Sequence, residues 1–187
     1  MATGKGIENW KAKKWLNIYT PELFGKNTIG EMPINDEKNA PGRMIKVSMS
    51  WITNNPMHSF MVVGLKIDNV NGNAAHTQLK YIEQTFSYLH SLVKRHGSAI
   101  YTIDNLKDKN NSNIVIKLIA TTNTRLTTKK RMAIRKELSN FLKEQVQNTD
   151  KESIIKGMVE GTVQKEAMKK VNNIVALNRL EIKRLEL

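Results

Sequence analysis

Apolar and polar residues alternate at short period along the first two thirds of this chain and gather into helical stripes in the last third. Trp15 to Tyr19 reads as a strand stopped by Thr20-Pro21. Residues 25–42 hold three glycines and two prolines among polar residues, which predicts loop around one short strand. From Arg43 to Ile52 the alternation is regular. Met44, Lys46, Ser48 and Ser50 fall on one face, and Ile45, Val47, Met49 and Trp51 on the other. Ser59–Ile67 is a second run, and the Asn71-Gly72 pair predicts a hairpin returning through Ala74–Thr77. Ile82, Phe86, Leu89 and Val93 then fit one helical stripe, predicting a helix from about Gln78 to Arg95. Lys94, Arg95 and His96 suit its last turn and Gly97 suits a left-handed cap. Ala99–Ile103 and Ile114–Ala120 form another hairpin around the polar Lys107–Asn113 turn.

After Thr128 the period becomes helical, with Ile134, Leu138, Phe141 and Leu142 on one face as far as about Gln147. Thr149 or Asp150 caps a helix over Lys151–Val159, and Thr162 caps another over Val163–Ile174. Leu177–Leu187 fits a bulged strand or a short helix equally well. Strands first and helices later indicate an α+β fold. The expected organisation is a flexible basic arm over residues 1–14 and a single domain over 15–187. That domain is strand-rich over 15–124 and helix-rich over 125–187. With 187 residues and 40% hydrophobic content the chain can bury a core, although only 6% of it is aromatic.

Charge narrows the class. Thirty Lys and Arg against seventeen Asp and Glu leave +13 at neutral pH. Such self-repulsion points to a polyanionic partner, either nucleic acid or an anionic membrane surface. Cysteine is absent, which excludes disulfides and thiolate metal sites. The opening residues are small, polar and basic, and no run of about 18 apolar residues could cross a bilayer. A soluble, cytoplasmic protein is expected. Catalytic signatures are missing. The four histidines have no metal-ligand spacing, and His90 and His96 would sit about 240° apart on one helix. Gly4-Lys5-Gly6 and Gly157–Gly161 lack the surroundings of a phosphate loop. No cofactor is implied.

The basic residues cluster. Between Arg125 and Lys143 lie seven cations (Arg125, Lys129, Lys130, Arg131, Arg135, Lys136, Lys143) and one anion, Glu137. Lys129, Lys136 and Lys143 recur every seven residues and form a stripe opposite the apolar face, while Arg131 and Arg135 flank that face. Cations in a first helical turn oppose the helix dipole by roughly 0.3–1 kcal/mol each. Phosphate bound there would reverse that sign. In the arm, Lys11, Lys13 and Lys14 stand beside Trp10 and Trp15. Trp10 is the better stacking candidate, because Trp15 starts a strand and is expected in the core. Lys165, Lys169, Lys170, Arg179, Lys183 and Arg184 add charge near the end. Charge this dispersed suits a partner that surrounds the protein.

Lys13-Lys14-Trp15 leading to Thr20-Pro21-Glu22-Leu23-Phe24-Gly25 resembles the opening of the archaeal and eukaryotic small-subunit ribosomal protein family called eukaryotic-type S-one, or S-three-a. Gly42-Arg43 before Lys46-Val47-Ser48, and Ile134-Arg135-Lys136 before Thr149-Asp150 and Ile154–Lys156, continue the resemblance over about residues 10–187. It implies an antiparallel, barrel-like sheet flanked by helices with a helical C-terminal portion. It also implies a ribosome-bound structural constituent of the small-subunit platform near the messenger exit. Small-subunit ribosomal RNA, neighbouring ribosomal proteins and messenger RNA near the exit are the partners so implied. The matching residues carried over are Lys13, Lys14, Trp15, Arg43, Arg135 and Lys136. Long basic tails are missing, as in an archaeal-type version, and the stretch after Ala120 is diluted to Thr121-Thr122-Asn123-Thr124-Arg125. The alternative is an RNA-binding enzyme such as a metal-dependent nuclease, which needs grouped carboxylates. The nearest pair, Asp104 and Asp108, lies around a turn. A membrane-surface role lacks a bulky apolar helix face.

Overall fold

A computed structural model describes residues 13–109 and 111–187. Among them are eight strands and five α-helices in an α+β arrangement, divided into two compact units, one up to Lys80 and one from Tyr81 to Leu187.

The first unit contains β1 (Lys14–Tyr19), β2 (Thr28–Ile34), β3 (Met44–Ser48), β4 (Met61–Asn71) and the opening residues of β5 (Ala74–Gln84). Their order is β3-β4-β5-β1-β2. The Asn-Gly hairpin joins β4 to β5, with Gly72 at a φ of +58° that a side chain would resist. Leu16, Ile34, Ala40, Ile67 and Ala75 form one buried cluster of its core, with Met32, Ile45 and Val70 against it. The expected all-antiparallel sheet needs correction: β1 runs antiparallel to β2 but parallel to β5, Asn17 opposite Ala74. The ladder is also open, with β2 and β3 as its outer strands among the described residues.

The strand predicted over Arg43–Ile52 stops at Ser48, and the chain turns into the short α1 (Met49–Thr53). Hydroxyl chemistry explains the turn. Thr53 Oγ1 donates to the carbonyl of Met49 at 3.0 Å, and the Ser48 and Ser50 hydroxyls pair at 2.9 Å. Such local bonds compete with a ladder. Met49 is buried, whereas Trp51 is 75% exposed.

The second unit holds the end of β5, β6 (Ser98–Lys107), β7 (Asn113–Thr122) and β8 (Arg179–Glu186), in the order β5-β8-β7-β6 and antiparallel throughout. The C-terminal segment is therefore the bulged strand, with its register slipping opposite Lys117 and Leu118. The ladder is again open, ending at β6 among the described residues.

The helix predicted from Gln78 to Arg95 is split, and its first part, as far as Gln84, is strand. β5 continues to Gln84 because Ala75, Thr77, Leu79 and Tyr81 are buried on every second position, a period of two that overrides the helical stripe. Only α2 (Phe86–Leu92) is helical; Leu89 and Leu92 pack on Ile119, and Phe86 and Val93 are exposed. Gly97 is not its cap. His96 takes the left-handed conformation instead, and a Cβ at Gly97 would lie 2.3 Å from the carbonyl oxygen of Thr122. Gly97 is needed because two backbones meet there.

Three helices follow: α3 (Thr128–Asn148), α4 (Lys151–Glu160) and α5 (Thr162–Val171). Asp150 stands at the N-cap of α4. Thr162 does not cap α5 but is its first residue, donating to the carbonyl of Gly157 at 3.0 Å, while Gly161 takes the cap position at a φ of +79°. α3 buries Ile134, Leu138, Phe141, Leu142 and Val146 and packs along β6; α5 packs on β8 and on both other helices.

Adding a methyl at Gly97 forces two backbone segments apart, so Gly97→Ala is expected to lower stability by about 1–3 kcal/mol. The readout is a lower urea midpoint at unchanged m-value. At the edge of β8, the Glu186 carboxyl is held below its ordinary value, first by a hydrogen bond from Lys117 at 2.7 Å and then by the charge of Arg184. Folding favours its deprotonated form, so the stabilisation is complete near neutrality and disappears as pH falls through the carboxylate range. Glu186→Gln should flatten the acid side of the curve of melting temperature against pH, measured from about pH 7 to about pH 3.

Candidate nucleic-acid interface

The start of the cation-rich helix is tied to β6 through one hydroxyl. Ser98, the first residue of β6, is buried, and its Oγ accepts from the backbone N–H of Leu126 at 2.9 Å and from Nη2 of Arg131 at 3.2 Å. Thr122 Oγ1 donates to the carbonyl of Thr124 at 2.8 Å and tightens the same loop. One turn on, Arg135 Nε donates to the carbonyl of Tyr101 at 3.2 Å, and Ser139 donates to Asp104. Arg131, Arg135 and Ser139 therefore tie one flank of α3 to β6. At 3.6 residues per turn that flank lies away from the Lys129, Lys136 and Lys143 stripe.

Lys129, Lys130, Lys136 and Lys143 are exposed, as is Arg125 before the helix, and none has an ion pair or side-chain hydrogen bond among the described residues. The first turn of α3 contains no carboxylate, and Thr127 makes no side-chain cap. The N-terminal N–H groups, the positive dipole end and Lys129 and Lys130 thus share one region.

Elsewhere the predicted residues separate. Lys14 lies in β1 and pairs with Glu37 at 3.2 Å, and Lys13 is half-buried and partnered within the chain. Arg43 is exposed ahead of β3, and Trp15 is 51% exposed rather than in the core, because it lies on the face of β1 opposite the buried Leu16 and Ile18. Trp10 and Lys11, like the rest of the arm before Lys13, lie outside the described residues. Of the later cations, Lys170 bonds Glu144 at 2.8 Å and sits 5.0 Å from the centre of the Phe141 ring. Arg184 lies against Glu83, Glu186 and the Tyr81 ring, and Lys183 sits over the Tyr101 ring. Ser98 was missed in the sequence because nothing local marks it. Arg131 carried a signal: its helical position falls on the apolar side. Among the described residues no three His, Asp or Glu side chains gather as metal ligands, and no helix is long and apolar enough to cross a membrane.

The profile of the Ribosomal S3Ae family matches residues 2–187. A small ribosomal subunit protein eS1 from Methanoculleus marisnigri is 32% identical over 98% of this chain and 93% of its own length. Its counterparts from Methanoregula boonei and Methanococcus vannielii are each 31% identical, over 96% and 97% of this chain and 89% and 83% of theirs. With a match from end to end and relatives of that identity, the chain belongs to the Ribosomal S3Ae family of ribosomal proteins.

Proposed function

We propose that the chain is a structural constituent of the small ribosomal subunit that binds ribosomal RNA by neutralising phosphates with the free cations of α3. Lys129, Lys130, Lys136 and Lys143 are the principal contacts, with Arg125 beside the helix start. Arg43 and the basic arm, including Lys11, Lys13, Lys14 and Trp10, extend the contact over other parts of the RNA. Arg131 and Arg135 act mainly by fixing the helix, with the outer guanidinium N–H groups of Arg135 turned to phosphate as a secondary contact. The observation that carries this reading is a stripe of exposed lysines, unpaired among the described residues, on a helix whose first turn has no carboxylate. Left alone, that arrangement opposes the dipole; a bound phosphate reverses the sign. The site is on the platform near the messenger exit, beside neighbouring ribosomal proteins and within reach of messenger RNA. The protein works in the cytoplasm, ribosome-bound.

Phosphate contacts release counterions, so binding to small-subunit RNA should weaken with salt at a log–log slope of several units. Changing Lys129, Lys130 and Lys136 together to Ala should reduce that slope by about 2–3 without lowering the unfolding midpoint, because loss of the two first-turn cations relieves their opposition to the helix dipole. An unchanged slope would exclude the helix as a phosphate contact. Arg131→Ala should behave differently, costing about 1 kcal/mol of stability through the lost Ser98 bond. Chemical denaturation alongside the binding titration separates the two roles.

A further inference from the structure

The cations of α3 suit the charge of phosphates, and a cleft in the first unit has the opposite chemistry. Thr20 next to the end of β1, Thr28 and Ile29 of β2, Asn27 before it, and Ser50, Trp51, Ile52 and Asn54 around α1 line an open cleft of about 320 Å³. That volume lies in the range of about 300–1,000 Å³ typical of small-ligand sites. None of these residues carries a formal charge, and the whole stretch from Ser48 to Leu65 lacks Lys, Arg, Asp and Glu in a chain of net +13. The indole of Trp51 is 75% exposed. The amides of Asn27 and Asn54 are exposed and have no hydrogen-bond partner among the described residues. Each offers two donors and an acceptor.

The frame around these groups is fixed. Thr20 N–H donates to the carbonyl of Asn27 at 2.9 Å, and Asn27 N–H donates back to Thr20 Oγ1 at 2.8 Å. Asn54 sits in the left-handed region at a φ of 52°, which sets its side chain just past the end of α1. Against an apolar partner side chain the two amides would lose water without gaining a bond. A flat, uncharged ring with donors and acceptors on its edge satisfies both the indole face and the amides. Unpaired RNA bases have that chemistry.

We propose that this cleft receives one unpaired base of the bound RNA, stacked on Trp51 and hydrogen-bonded at its edge by Asn27 and Asn54. The proposal rests on the RNA-binding reading above and adds to it a base contact distinct from the phosphate contacts.

The test uses the full chain with two probes of equal length, a single-stranded RNA 12-mer and an RNA duplex, titrated by fluorescence anisotropy at several salt concentrations. Trp51→Ala should weaken single-strand binding about 5- to 100-fold, the loss expected for one stacked base, with duplex affinity and both salt slopes unchanged. Trp51→Phe should recover much of that loss. Asn27→Ala with Asn54→Gly should also weaken the single strand alone; glycine keeps the left-handed backbone, and equal melting temperatures establish that each variant is folded. Unchanged single-strand affinity in Trp51→Ala overturns the proposal. So does an equal loss on both probes with a reduced slope, which marks a phosphate contact. Unchanged RNA binding with poorer incorporation into reconstituted small subunits would assign the cleft to a protein neighbour and overturn it as well. The lysine triple variant fails or succeeds through the salt slope, so failure of the phosphate reading is seen separately from failure at Trp51.

Discussion

Packing of the apolar stripe of α3 along β6 is the interaction on which the charged surface depends. Ile134, Leu138, Phe141, Leu142 and Val146 are all at most 3% exposed. Each buried side chain of this size contributes about 1.5–3 kcal/mol. Each first-turn cation opposes the dipole by only about 0.3–1 kcal/mol. Burial therefore dominates, and the helix can carry an electrostatically poor N-terminus without unravelling. Ser98, bound by Leu126 N–H and Arg131, sets where that terminus begins.

The surplus charge is sorted rather than spread evenly. Lys117 and Arg184 are drawn into a partly shielded network with Glu83 and Glu186 across β5, β7 and β8. Lys170 bridges α5 to Glu144 of α3, and Lys14 bonds Glu37. Exposed pairs of this kind contribute little to stability, but they leave fewer free cations. Lys129, Lys136 and Lys143 on the outer stripe of α3 are among the cations that keep no partner among the described residues. Net charge alone could not make this distinction, because it counts Arg184 and Lys136 alike.

The candidate interface was partly legible in the sequence. The seven-residue recurrence of Lys129, Lys136 and Lys143 placed the stripe correctly, since helical angle follows from spacing alone. The anchoring of Arg131 to Ser98 joins residues 33 positions apart and has no local signature. The period of two that puts Trp51 on one face with Ile45, Val47 and Met49 ends at Ser48, where serine and threonine hydroxyls turn the chain into α1 and the indole is left exposed.

Local rules sufficed wherever one period ran long enough without a rival. They determined α3 and α4, the Asn-Gly hairpin and the β6–β7 hairpin. Tertiary structure decided the rest. It extended β5 through a segment that also fitted a helix, because burial of Thr77, Leu79 and Tyr81 outweighed the competing stripe. It made the last segment a strand, because β7 and β5 both had edges for β8 to pair with. It set β1 parallel to β5 and assigned Gly97 to a backbone crossing rather than a cap. Each of these outcomes depends on which distant backbone lies within hydrogen-bonding distance, and no short-range pattern of residues encodes that.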